Sequence, residues 1–336
     1  MSLPLDVSAR YVGRRVVVLG AAGFIGRWVA RALTGCDANL TLVVRDAARA
    51  TPIFDTYAVQ GAVVELDLGD LARVRDCLAS LRPTVVFNLA GYGVDRGERD
   101  PEVAYRINAH LVAALGEALA DYSDPHWTGQ ALVHVGSALE YGALGGNLSE
   151  EVLPHPTTLY GQSKLAGTCW LARACQAHSV RGITARLFTV YGPGEHPGRL
   201  WPTLQEAARS GQPLPLTAGQ QQRDFTYVED VAEGLVRLGV ADAPPGAIVN
   251  LATGRLTSVR RFAEMAASSL GIPSDHLQFG ALPTRGEEMT HEPVTVERLR
   301  RLLGWTPPTS LEVGMRRAWR FEAIAMTKEM SHGLPV

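Results

Sequence analysis

Between Arg15 and Leu187, short runs of β-branched and aliphatic residues alternate with stretches in which apolar positions return every three or four places. The runs are RRVVVLG, NLTLVV, GAVVELDL, TVVFNLAG, ALVHVGS and GITARLF; between them lie RWVARALTG, DLARVRDCLASL, PEVAYRINAHLVAALGEALADY and GQSKLAGTCWLARACQAHS. This alternation predicts βαβ units and a doubly wound parallel sheet of the α/β class. VVVLG is apolar without interruption, as suits a strand covered by helices on both sides.

After Tyr191 the pattern breaks. Gly192, Pro193, Gly194, Pro197, Pro202, Pro213 and Pro215 interrupt it, as do Pro273, Pro283, Pro293, Pro307 and Pro308 farther on. Between these groups, DFTYVEDVAEGLVRLGV and AIVNLATG read as one more helix and one more strand of the main sheet. The second, smaller domain is therefore expected to be discontinuous: 12–190 with about 224–252 in the first domain, about 191–223 with 253–325 in the second. From Met326 to Val336 no periodicity remains, and disorder is expected.

Composition narrows the functional classes. Hydrophobic residues make up 46% and charged residues 20%, which excludes a mainly disordered chain. The 32 basic residues against 34 acidic give a charge of −2, with no basic surplus for a nucleic-acid backbone. No apolar run approaches the ~20 residues that span a bilayer. Cys36, Cys77, Cys169 and Cys175 lack metal-ligand spacing, and the opening MSLPLDVSARYVGRR lacks a secretory apolar segment, so a reduced, cytoplasmic protein is expected, with no metal and no membrane partner.

The first run leads into VVVLGAAGFIGRWVARAL, where Gly20, Gly23, Phe24, Ile25 and Gly26 span a strand-to-helix junction. Backbone N–H groups and the positive helix end there suit a dinucleotide pyrophosphate. Asp67, with Leu68 after it, ends the third run where a carboxylate can accept from an adenine amino group. Asn88, Leu89, Ala90 and Gly91 end the fourth; each segment reads equally as a surface turn. In LYGQSKLAG, Tyr160 and Lys164 are four apart and share a helical face. A free phenol has a pKa of ~10, and a neighbouring ammonium with a cationic nicotinamide is expected to lower it. Ser137 ends ALVHVGS, at the carboxyl edge where open α/β sheets bind ligands, and its hydroxyl suits a reacting carbonyl.

With these motifs, and with DPEVAYRINAHLVAAL, SALEYG, RLFTVYGPGE, RDFTYVEDVAEGL, NLATGRLTSVRRFAE and RLLGWTPPTSLEVGMRRAW, nearly the whole chain resembles the extended short-chain dehydrogenase/reductases, in the NAD-dependent epimerase/dehydratase group acting on nucleotide sugars. The resemblance implies a Rossmann-type cofactor domain, Ser137, Tyr160 and Lys164 as the catalytic triad, Asn108 in support, and Arg223 and Arg285 gripping a substrate pyrophosphate. It also implies a homodimer through paired helices. The chain departs from the family at Asn88–Gly91, where HisLeuAlaAla is common, and at Thr189, where many relatives carry Asn at a substrate contact.

The subclass has three handles. Family 4,6-dehydratases follow the catalytic hydroxyl with Asp-Glu; here Ala138 and Leu139 follow Ser137, which argues against water elimination. Arg45 comes first after the second run and favours the 2′-phosphate of NADP(H) over NAD(H), unless Asp46 takes the ribose. A net reductase draws on NADPH, whereas an epimerase regenerates retained NAD. The expected function is reduction of an NDP-4-keto-6-deoxyhexose. The alternatives are an NDP-sugar 4-epimerase and a non-catalytic dinucleotide-sensing protein.

Overall fold

The computed structural model describes residues 3–94, 97–122, 124–142, 147–283 and 290–331, with backbone alone from 326 onward. Its strands are β1 (Arg15–Leu19), β2 (Asn39–Val44), β3 (Ala62–Glu65), β4 (Val85–Asn88), β5 (Leu132–Ser137), β6 (Gly182–Leu187), β7 (Thr189–Tyr191), β8 (Leu214–Leu216), β9 (Gln222–Tyr227), β10 (Ala247–Leu251), β11 (Leu256–Ser258) and β12 (Leu277–Phe279). Its helices are α1 (Leu5–Tyr11), α2 (Phe24–Thr34), α3 (Ala47–Tyr57), α4 (Leu71–Leu81), α5 (Pro101–Tyr105), α6 (Leu111–Ala120), α7 (Leu159–His178), α8 (Leu200–Ser210), α9 (Val228–Val240), α10 (Val259–Leu270), α11 (Glu297–Leu303) and α12 (Leu311–Ser331).

Seven strands form one parallel sheet in the order β3-β2-β1-β4-β5-β6-β10. This is the Rossmann-type arrangement that the strand–helix alternation predicts. Successive residues of β1 divide between two layers. Val16 and Val18 join the core with Trp28 of α2 and Val231 and Leu235 of α9; Val17 and Leu19 join Val74 and Leu78 of α4, Leu115 of α6 and Leu171 of α7. Burying each such side chain contributes about 1.5–3 kcal/mol, which is why uninterrupted valines specify a central strand. The order reverses between β1 and β4, opening a crevice at their carboxyl ends.

β7, β9 and β11 form a separate sheet, and β8 pairs with β12. α9 returns to pack on α2, and β10 pairs with β6 in the main sheet.

Three local features depart from the sequence pattern. α3 forms with Pro52 inside it, its start capped by Asp46. The long segment from Pro101 is helical but widens to a π-turn at Arg106–His110. Where disorder is expected from Met326 to Val336, α12 instead continues to Ser331, because Met, Lys and Glu favour helix without apolar periodicity, while 332–336 lie outside the described residues. Among the described residues no helix is long and apolar enough to cross a membrane.

Candidate active site

The glycine turn is built to take a ligand against its backbone. Gly20 has φ +72°, and its backbone closely approaches Leu89 and Ala90 at the end of β4. A Cβ on Gly26 would overlap the Gly20 carbonyl, so glycine there lets α2 start flush with β1. Gly23 is the N-cap of α2 and no side chain caps that end, leaving the first amides, Phe24 and Ile25 among them, facing the crevice. Open amides, a positive helix end and a cradle that a Cβ would fill fit a dinucleotide pyrophosphate.

The far end of this crevice lies at β2 and β3. Arg45 is the first residue after β2 and is exposed. Asp46 is engaged in capping: its carboxylate accepts from Arg49 N at 3.0 Å and pairs with Arg49 Nε at 3.3 Å. Asp67 is exposed beside a cleft of 520 Å³ that also touches Arg106 and His110, and its Oδ1 accepts from Gly69 N at 2.9 Å. Leu68 is half-buried between Asp67 and the capping Asp70.

Ser137, Tyr160 and Lys164, the catalytic residues the sequence leads one to expect, meet at the carboxyl edge of β4 and β5. Thr158 caps α7, accepting from Gly161 N at 3.0 Å, and sets the first turn that carries Tyr160. The phenol faces the Ser137 hydroxyl and is pushed up to about 12, chiefly by burial and then by the charge of Glu140; Arg199 and the Ser137 hydrogen bond oppose this. The expected lowering is therefore reversed among the protein's own groups. The reason is geometric. The buried Lys164 Nζ donates to Val135 O at 3.1 Å and Ala90 O at 3.3 Å, and lies 5.9 Å from the centre of the Tyr160 ring. Burial lowers Lys164 to about 8, with Glu140 opposing. A Cβ built on Gly91 would stand 3.4 Å from Lys164 Nζ, so the end of β4 abuts the ammonium.

Asn108 is fully buried on the π-turn and touches neither Tyr160 nor Ser137 among its recorded hydrogen bonds. Its Oδ1 accepts from Tyr92 N at 3.0 Å, and its Nδ2 donates to Tyr92 O at 2.8 Å and Ser163 Oγ at 2.9 Å. It ties the segment after β4 to α7. Thr189 opens β7 two residues beyond Leu187, the partner of Ser137 in the sheet. Arg223 lies on the neighbouring β9, half-buried, with its guanidinium near the buried His291. Arg285 lies outside the described residues.

The comparisons with known proteins agree with this geometry. The model of the NAD dependent epimerase/dehydratase family matches residues 16–252. The chain belongs to that family. It is an NAD(P)-dependent enzyme of nucleotide sugars, of the extended short-chain dehydrogenase/reductase type. It is 31% identical over 328 residues to the dTDP-6-deoxy-L-talose 4-dehydrogenase (NAD(P)(+)) of Kitasatospora kifunensis, covering 93% of this chain and 96% of the relative. It is 28% identical to the UDP-glucose 4-epimerase of Mycolicibacterium smegmatis, covering 91% and 98%. Among solved structures it resembles MoeE5 in complex with UDP-glucuronic acid and NAD, with TM-score 0.79, 27% identity and coverage of 93% and 99%.

Within this family member, sequence reasoning missed two buried groups. Glu140, three residues after Ser137, is buried against Arg186, with Oε2 2.9 Å from Arg186 Nε. A carboxylate does follow Ser137, three residues on, but it is engaged in an ion pair with Arg186. His134 on β5 meets Asn88 across the sheet, Nδ1 to Nδ2 3.2 Å, and burial with the nearby Lys164 charge holds the imidazole neutral. Asn88 Oδ1 in turn accepts from Ala90 N at 3.3 Å, bracing the turn whose carbonyl holds Lys164. One overlooked sequence signal favoured Lys164: only it and Lys328 are lysines, every other basic residue being arginine.

Proposed function

We propose that this enzyme is a ketoreductase of an NDP-4-keto-6-deoxyhexose that draws on NADPH. The observation that carries the reading is the state of β2's end. Asp46 is tied up capping α3 and pairing with Arg49, so Arg45 is the charged group left to meet an adenosine ribose, and it suits a 2′-phosphate. Consumption of NADPH fits net reduction. The Kitasatospora relative, by its name, works at C4 of a dTDP-6-deoxyhexose, and the reverse of that oxidation is reduction of the 4-ketone.

When bound, the dinucleotide supplies the hydride. Ser137 Oγ accepts from Leu139 N at 3.2 Å, which leaves its hydrogen to hold the keto oxygen. Tyr160, protonated at neutral pH, gives its proton to the oxygen as it becomes an alkoxide. Lys164, its Nζ anchored on Ala90 O and Val135 O, would hold the nicotinamide ribose, while Thr189, Arg223 and Arg285 would serve the sugar and its diphosphate. α6 and α7, packed on each other, leave Trp170 39% exposed on their outer side, the face through which two copies pair as a homodimer.

The Mycolicibacterium relative favours a second reading, a 4-epimerase using the same triad. Incubation with NADPH and a panel of NDP-4-keto-6-deoxyhexoses tests the proposal: cofactor oxidation in step with product supports it, and interconversion of UDP-hexoses without net oxidation supports the epimerase.

A further inference from the structure

Three elements that carry the chemistry converge on one carboxylate. Glu140 sits fully buried in the 3₁₀ turn that follows β5. Its Oε1 accepts from Ser137 N at 2.8 Å; its Oε2 accepts from Thr168 Oγ1 at 3.0 Å and from Arg186 Nε at 2.9 Å. Thr168 lies one helical turn beyond Lys164 on α7. The Arg186 side chain is 1% exposed, and its guanidinium carbon stands 4.4 Å from the centre of the Tyr141 ring.

A pair so buried gains little for stability, because desolvation offsets most of the Coulomb attraction, and apolar side chains of similar volume would serve the core as well or better. Its location gives it a different use. Among the described residues, Glu140 is the anion that acts on both neighbours, favouring the ammonium of Lys164 and the neutral phenol of Tyr160. The other charged and titratable groups around the centre are His134 on β5, Tyr141 after the turn, Cys169 on α7, Glu98 before α5 and Arg199 before α8. Arg186, paired with Glu140 at 2.9 Å, offsets part of that pull.

We propose that Glu140 is a positioning residue of the hydride-transfer site: its carboxylate clamps Ser137 to α7 and supplies the buried negative charge beside which Lys164 and Tyr160 work. This rests on the reading of the enzyme as a hydride-transfer catalyst. A merely structural Glu140 would change the melting temperature and leave the titration of Lys164 where it is.

With only two lysines in the chain, ¹³C-lysine labelling in a Lys328→Arg background gives one NMR resonance to follow with pH. Lys164 titrates near 8 with Glu140 present. In Glu140→Gln the amide oxygen still accepts from Ser137 N, but the charge is gone, and the midpoint falls by about one unit or more. In Glu140→Gln/Arg186→Gln, which leaves no lone buried charge, the midpoint falls by less, because a cation leaves with the anion; this variant carries the test should the single one not fold. The alkaline limb of kcat moves in the same direction. A Lys164 midpoint unchanged in the folded variants overturns the role of Glu140 whatever the turnover. Wild-type protein that turns over no nucleotide sugar overturns the functional reading instead, and leaves the titration standing.

Discussion

Lys164 donates to the carbonyl oxygen of Val135 at 3.1 Å, while its nitrogen lies 5.9 Å from the centre of the Tyr160 ring one helical turn before it. The ammonium therefore faces the strand ends where a cofactor ribose would rest, and burial outweighs its influence on the phenol. Each residue is displaced toward its neutral form: lysine down to about 8, tyrosine up to about 12.

The lysine makes a stability prediction with a definite sign. Between about pH 8 and 10.5 the unfolded chain holds a proton on Lys164 that the folded chain has released, so this group's contribution rises with pH across that window. Below pH 8 it is charged in both states and its full burial cost remains. The slope is at most ~1.4 kcal/mol per pH unit. Tyr160 acts oppositely from pH 10 to 12, where the folded phenol keeps its proton. Urea denaturation at pH 8, 9 and 10 should show wild type gaining stability relative to Lys164→Met; parallel profiles would refute the assignment.

How much of this was readable in the chain varies by element. β1, β4 and β5 declare themselves through valine-rich runs, because a strand buried on both faces has no polar alternation to obscure it. α3 stays hidden, since Pro52 argues against helix and only its Asp46 cap argues for it. The π-turn that turns Asn108 inward has no composition of its own. Glu140 was invisible for a physical reason: its meaning depends on Arg186, 46 residues away on the adjacent strand. The neighbourhood of Tyr160 was legible from spacing, but the direction of its pKa was not, because desolvation depends on packing rather than on the neighbour four residues on.

At the ribose end, Arg45→Ala should weaken NADPH binding by ~1.5–3 kcal/mol, the worth of a hydrogen bond to a charged group, and leave NADH nearly unaffected. Isothermal titration with both cofactors reads this directly. Equal affinities before and after the change would remove Arg45 from the site.

Tyr160→Phe deletes one oxygen, so fold and cofactor affinity should survive. Turnover should drop ~10²- to 10⁴-fold or further, the range of general acid catalysis. A variant with kcat within a few-fold of wild type would point to a different proton donor.

Pairing through α6 and α7 predicts twice the 36.1 kDa chain mass by light scattering at micromolar concentration. Trp170→Glu on the outer side of α7 should shift that mass toward one chain without changing the circular dichroism spectrum. A monomeric wild type would refute the pairing.

Net reduction is the central claim, and NADPH carrying deuterium at the transferable position tests it most directly. The account predicts that the NDP-6-deoxyhexose formed from an NDP-4-keto-6-deoxyhexose carries one deuterium at C4, with one cofactor oxidised for each, and that both quantities fall together in Tyr160→Phe. Epimerised UDP-hexose free of deuterium, with the cofactor pool unchanged, would contradict it.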